Sequence, residues 1–343
     1  MLSAVFEREP LHPGGMHYAI HATDAEGRAA NALEQVATYA DIAPQVPHAV
    51  HMPTHIYVRI GEWPGVIDWN RRSADAALDF PAGDRISIHY IHALDYMLYA
   101  ALQQGDDAFA QAVLDEALTA ELYQEDFAAA FHLAIMPARF AVERRAWSEA
   151  AELALEQPEY MTWSRYAWPQ AIGWFARGLG AVHTGDFALA REAEAQLIGL
   201  RDRASEAGER TLAAYIDIDR LILSGKLAWA DGDTDRTVAL TEEATTLERT
   251  VEKHPVTPGA LLPSYEALGD LLMELNRPAE ALATYEASNL MWPSRLTTLL
   301  GAGRAALAAG EELVAREHFT RLLDSAGASD RASLDEAHAF MAR

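Results

Sequence analysis

The sequence predicts an all-α protein, a right-handed α-solenoid built from degenerate helix pairs, and three observations lead there. Alanine and leucine are abundant beside many Glu and Arg, with few β-branched runs, a composition that favours helix. Turn signatures of the form Gly-[Asp/Glu]-x-x-x-Ala punctuate helical periodicity along nearly the whole chain. His17 and His21 in HYAIH recur as His51 and His55 in HMPTH, 34 residues on, and Gly27 and Gly61 are spaced alike. Thirty-four residues is the tetratricopeptide (TPR) period, one helix–turn–helix unit per repeat.

The clearest turns are Gly61-Glu62-Trp63, Gly105-Asp106-Asp107, Gly185-Asp186-Phe187, Gly232-Asp233-Thr234 and Gly310-Glu311-Glu312, with Asn276-Arg277-Pro278 as a variant. In each, the glycine is expected to end an A helix in left-handed backbone before a B helix begins. The A helices are expected at 12–24, 47–60, 86–104, 126–145, 161–184, 211–231, 258–275 and 296–309, with a closing helix over 329–343. Spacing is uneven, since Gly61 to Gly105 is 44 residues and Gly185 to Gly232 is 47. No low-complexity linker interrupts the array, so one continuous solenoid is expected. Its functional division falls near residue 158: histidine-rich TPR-like units over 1–157, scaffold units over 158–343.

The first histidine helix begins about a dozen residues in, with no polar capping helix before it. Either the chain pairs with a second copy there, as a homodimer, or it is part of a longer ancestor. The aromatic block of Trp163, Trp168, Trp174 and Phe175 reads as packing of a long A helix, with a substrate-pocket wall as the alternative.

Charge and composition narrow the function. Against 51 Asp and Glu stand 27 Lys and Arg, for a net charge of −24, and only Lys226 and Lys253 are lysines. No basic patch exists to attract nucleic acid or an anionic membrane. Cysteine is absent, which excludes disulfides, thiolate metal sites and iron–sulfur clusters. No stretch of 18 apolar residues occurs and MLSAVFEREP has no signal-peptide pattern, so the cytoplasm is the expected location. An H-E-x-x-H helix, a G-x-S-x-G elbow, a P-loop and an EF-hand are all missing.

Eight of the 13 histidines lie within residues 12–92. Aligned on the turn residue, they fall into columns. Ten residues before it stand His17, His51 and Asp95; six before it, His21, His55 and Tyr99. Thirteen before it stand His48 and His92, then His132 and, in the six-before column, Arg139 if Arg145 replaces a turn glycine. Offsets of three and four make one stripe on each A helix. With the A helices lining the concave side, the stripe is expected to form a histidine-rich wall of a channel. Beyond residue 140 the columns turn apolar, at Ile172, Phe175 and Leu179.

Neutral imidazoles on neighbouring helices are a preferred environment for copper, iron or zinc. His17, His21, His51, His55 and His92 are therefore the expected metal ligands, with Asp95, Tyr99 and Arg139 as catalytic candidates. Asp24 is available to ligate or to orient a ring N–H, and Arg139 to grip an anionic substrate. His48 follows Pro47 and reads equally as a helix cap. His12, His89, His183, His254, His318 and His338 read as structural.

HPGGMHYAIHATD (12–24), YADIAPQVPHAVHMPTHIYVRIGEW (39–63), HALDYMLYAALQQGD (92–106), MPARFAVERRAW (136–147) and VTPGALLPSYEALGDLLMELNRPAEALATYEAS (256–288) together resemble a bacterial family of large TPR-containing proteins. The resemblance covers most of the chain and implies the fold and the site at His17, His21, Asp24, His51, His55, His92 and Asp95. It implies no reaction. Its members carry additional helices before the HPG segment, which implies that an N-terminal part is absent here or supplied by a partner.

Two functions follow. The first is a copper- or iron-dependent oxidase or oxygenase acting on a small molecule or peptide in the concave channel, with a zinc hydrolase using Asp24 or Asp95 as base beside it. The second is a non-catalytic scaffold that grips a peptide or protein, its histidines serving in packing, hydrogen bonding or pH sensing.

Overall fold

The computed structural model describes residues 5, 8–9, 11–33, 36, 39, 42–120, 122–327, 329 and 331–343. Most of the chain start read for a signal peptide, and part of the first B helix at 34–35, 37–38 and 40–41, lie outside the described residues. The helices run as α1 (Pro13–Thr23), α2 (Pro47–His51), α3 (Pro53–Ile60), α4 (Trp63–Leu78), α5 (Ile88–Gln104), α6 (Asp107–Thr119), α7 (Phe127–Glu143) and α8 (Trp147–Ala151). There follow α9 (Ala167–Thr184), α10 (Phe187–Glu206), α11 (Arg210–Ala230), α12 (Thr234–Glu248), α13 (Ser264–Glu274), α14 (Pro278–Met291), α15 (Leu296–Ala309), α16 (Glu312–Ala326) and α17 (Asp335–Met341). Helices adjacent in the chain pack on one another, as expected for an α-solenoid, and no strand occurs among the described residues.

The turn signature works as a double cap. Gly61 and Gly105 end their helices at φ 71° and 70°, left-handed backbone that costs a residue with a Cβ more than glycine. The acid that follows then opens the next helix: Asp106 accepts from the Phe109 N–H at 2.9 Å and Asp186 from Leu189 at 3.0 Å. Arg145 and Asn276 adopt the same backbone at φ 54° and 55°, so Arg145 does stand in for the turn glycine. Several boundaries differ from expectation, among them the starts expected at 161, 258 and 329, which fall at Ala167, Ser264 and Asp335. The helix over 47–60 breaks at Met52, because Pro53 has no N–H to continue the ladder. The helix of HYAIH ends at Thr23, ahead of Gly27, with the Asp24 N–H on the Ile20 carbonyl.

Apolar clusters run across residue 158 without a gap, one reaching from Ala74 to Tyr166 and the next from Phe131 to Ala267. Trp163, Trp168 and Phe175 are buried in them, as the packing interpretation expects.

The solenoid does not stay open. Its last units fold back onto its first: the Trp63 indole donates to Ser325, Ser329 Oγ donates to the Gly105 carbonyl, and the Leu296 N–H donates to the Gln103 side chain. Arg331 pairs with Asp107, and Arg59 donates to the Met291 carbonyl at 2.8 Å. The segment 251–263, between α12 and α13, is drawn into the interior. Arg139 donates to Thr257 Oγ1 and to the Gly259 carbonyl, both at 3.2 Å, and the Tyr96 hydroxyl lies 3.4 Å from the Pro255 carbonyl. The concave channel expected beside the histidines is thus filled by the chain itself. No described helix is long and apolar enough to cross a membrane.

Candidate metal centre

α1, α2, α3, α5 and α7 bring eight histidines into one continuous group. His17, His21, His48, His51, His55, His89, His92 and His132 each have a neighbouring ring within 4.3–5.4 Å, centroid to centroid. At its buried end three Nε2 atoms converge. His51 Nε2 lies 3.2 Å from His55 Nε2 and 3.0 Å from His92 Nε2. His51 and His55 are buried, and His92 is partly so.

Each ring's other nitrogen has an acceptor, which assigns its tautomer. His51 Nδ1 meets Asn70 Oδ1 at 2.7 Å, and the Asn70 amide is oriented by its own donation to the Val66 carbonyl. His55 Nδ1 donates to Asp24 Oδ2 at 2.9 Å. His92 Nδ1 meets His132 Nε2 at 2.9 Å, and His132 in turn donates from Nδ1 to Asp95 Oδ2 at 3.1 Å. With every Nδ1 carrying its proton, all three converging Nε2 atoms present lone pairs. Three acceptors at hydrogen-bond distance with no hydrogen among them repel one another unless a cation or a proton stands between.

Ionisation favours the neutral rings. Burial drives His51 and His92 well below the ordinary histidine value and lowers His55, although Asp24 pulls the latter upward. Burial also brings His21 down to about 4 and His48 to about 3. Asp24 behaves oppositely. Burial works to raise it, yet Lys253 at 2.8 Å, His55 and Arg59 together hold it well below the carboxylate range.

A pH dependence follows for the metal-free protein. Below the unfolded histidine value of about 6.5, the unfolded chain takes up protons that folded His21 and His48 refuse until near 4 and 3. The unfolded state therefore binds more protons across that window, so stability is flat above it and falls as the pH drops through it. At about 1.4 kcal/mol per pH unit per proton, reduced by solvent at half-buried rings, a loss of about 2–3 kcal/mol is expected between pH 7 and 4.5. Urea midpoints with a chelator present measure it; an unchanged midpoint would mean that the rings protonate freely.

The expected ligands do not form one set. Nitrogens of His51, His55 and His92 make one group, and those of His17 and His21 make a second with His48, all partly exposed. His48 does not cap α2, where no side chain caps the helix, and its ring lies beside those of His17, His51 and His89. The capping histidine is His12, whose Nδ1 accepts from the Gly15 N–H at 3.0 Å.

The catalytic candidates lie behind the rings. Asp95 is fully buried, with His132 on one oxygen and Arg139 Nε 3.4 Å from the other. Arg139 is fully buried and makes three hydrogen bonds to the inserted segment, so it braces Asp95 and that segment and has no face for an anionic substrate. Tyr99 packs under the guanidinium groups of Arg139 and Arg295, with Gly259 too close to admit even a methyl group. Tyr96 faces the three buried imidazoles, with centroids 4.6, 5.6 and 5.1 Å from those of His51, His55 and His92.

Asn70 and Lys253 escaped the sequence analysis. Asn70 sits on a B helix, outside the columns, and nothing marks it. Lys253 carried one signal: it is one of two lysines in the chain, and it lies buried on Asp24.

No family profile matches the chain, and no curated protein is similar to it. Among solved structures it is similar to a tetratricopeptide repeat protein from Parabacteroides merdae, at 16% identity over 86% of this chain and 98% of that one, with a TM-score of 0.40. It is also similar to the Cut9–Hcn1 hetero-tetramer of the APC/C, at 13% identity over 98% of this chain and 51% of that one, with a TM-score of 0.38. The TPR domain of P58(IPK) follows at 14% identity, over 99% and 92% of the two chains, with a TM-score of 0.30.

Proposed function

We propose that this protein binds a first-row transition metal ion on the Nε2 atoms of His51, His55 and His92 and performs metal-dependent chemistry there. The observation that carries the reading is the convergence of three lone pairs whose partner nitrogens are each tied to an acceptor. Nitrogens held ~2.0–2.1 Å from a tetrahedral or octahedral ion stand about 2.9–3.4 Å apart, and two of the separations here are 3.0 and 3.2 Å. Asp24, Asn70 and the His132–Asp95 pair supply the outer hydrogen bonds that fix ring orientation at metal sites. Three protein ligands leave a position open, the pattern of catalytic rather than purely structural centres.

Copper or iron and oxidase or oxygenase chemistry fit better than zinc hydrolysis. The hydrolase reading relies on Asp24 or Asp95 as base toward a metal-bound water. Asp24 has Arg59 on one oxygen and His55 with Lys253 on the other, while Asp95 is enclosed behind His132. Neither is free to take a proton. In an oxidative reaction the ion supplies the electron chemistry, the outer acceptors hold the three rings neutral and aimed, and Tyr96 walls the site. The alternative, a scaffold that grips a peptide, must contend with segment 251–263, which a peptide next to the histidines would have to displace.

The test is elemental analysis of chelator-stripped protein reloaded with Cu(II), Fe(II), Co(II) or Zn(II). Wild type is expected to retain stoichiometric metal. His51→Ala and His92→Ala are expected to lose affinity by more than the tenfold to hundredfold that outer-sphere changes cost. Wild-type protein that retains no ion under any loading condition would sink the reading.

A further inference from the structure

The repeat carries its ligand set twice. In the buried group, His51 and His55 stand ten and six residues before the turn at Gly61, and His92 stands thirteen before the next turn, Gly105. In the outer group, His17 and His21 stand ten and six before Gly27, and His48 stands thirteen before Gly61. The geometry repeats with the numbering. His17 and His21 lie with ring centroids 4.7 Å apart and His51 and His55 with theirs 4.9 Å apart. The ring from the following unit closes each set, His48 at 5.1 Å from His17 and His92 at 4.3 Å from His51. One nitrogen of each outer histidine lies within 4.8 Å of one nitrogen of each of the others.

We infer that His17, His21 and His48 hold a second metal ion, so that the two sets form a dinuclear centre of six imidazoles. This rests on the reading of the buried set as a metal site. The sets adjoin, with ring centroids 5.1 Å apart for His21 and His55 and 6.3 Å for His48 and His51, so two ions occupy neighbouring positions. Imidazole donors without carboxylate ligands select copper, zinc, cobalt or nickel over magnesium or calcium. The outer ligands are partly exposed where His51 and His55 are buried, which makes the second ion the more exchangeable one and the solvent-facing half of the centre.

The third unit shows where the array of sites ends. Its equivalent positions are Asp95, Tyr99 and His132. There the Asp95 carboxylate takes the His132 ring N–H, and the Arg139 guanidinium supplies the positive charge. The pattern therefore gives two sites and a closing ion pair.

Counting ions tests this. Wild type loaded with Cu(II) or Co(II) and cleared by gel filtration is expected to hold two ions per chain. His17→Ala with His48→Ala is expected to hold one, and the milder His48→Gln covers the case in which the double variant fails to fold. Two adjacent Cu(II) ions are expected to couple magnetically and weaken the resonance signal, and the outer variant should recover an uncoupled spectrum. A single ion in wild type, lost on His51→Ala and kept by the outer variants, overturns the second site while leaving the first. Two ions still held by both outer variants overturn it as well, and no ion in any protein overturns both readings.

Discussion

Asp24→Ala is expected to cost about 3–5 kcal/mol of stability and to weaken metal binding tenfold to hundredfold. Asp24 joins the fold to the candidate centre at His55. Its oxygens take Arg59 Nε at 2.8 Å, Lys253 Nζ at 2.8 Å and His55 Nδ1 at 2.9 Å, with the side chains only 3–7% exposed for the two cations. Removing it leaves an ammonium and a guanidinium buried without their counter-charge, and breaking a buried pair is far more costly than never having made one. Lys253 belongs to the inserted segment, so that segment loses its anchor as well. His55 loses the acceptor that fixes its tautomer, hence the weaker metal site. Denaturant unfolding and calorimetric titration with Co(II) read the two effects separately. Asp24→Asn separates them chemically: the amide oxygen still accepts from His55, so affinity should recover in part while stability does not. A stability change below about 1 kcal/mol for Asp24→Ala, the value of an exposed pair, would mean that the cations reach solvent.

Arg295→Met is expected to destabilise by a similar amount, about 3–5 kcal/mol, and to leave metal stoichiometry unchanged. Arg295 is 1% exposed and lies 2.9 Å from Glu143 and 3.2 Å from Glu266, and it donates to the Ala260 carbonyl at 3.2 Å. It thus ties α7, α13 and the inserted segment into one buried network. Methionine fills the volume but strands two carboxylates in the interior. Adding Glu143→Gln to Arg295→Met should recover part of the loss by removing one uncompensated charge. Because Arg295 touches no histidine, the variant distinguishes a fold defect from a site defect. Loss of metal together with stability would show that the closure of the solenoid, and not local ring orientation, holds the site.

Much of this was legible in one dimension, because its causes are local. Helix ends follow from a left-handed residue and the capping acid after it, and even Arg145 keeps that geometry in a glycine's place. The phase of the histidine stripe follows from 3.6 residues per turn. What the columns could not disclose is how neighbouring helices slide along each other. Each set is closed across unequal offsets: His51 finds His92 and His17 finds His48, one helical turn out of step, while the equal-offset pair His21 and His55 is where the two sets adjoin. The columns also promised an open groove, whereas Lys253 and Arg295 draw segment 251–263 and the final units inward onto Asp24, Glu143 and Glu266. Those pairings join residues far apart in the chain. They exist because burying a charge requires a partner wherever the chain can supply one, and a repeat pattern carries no record of that demand.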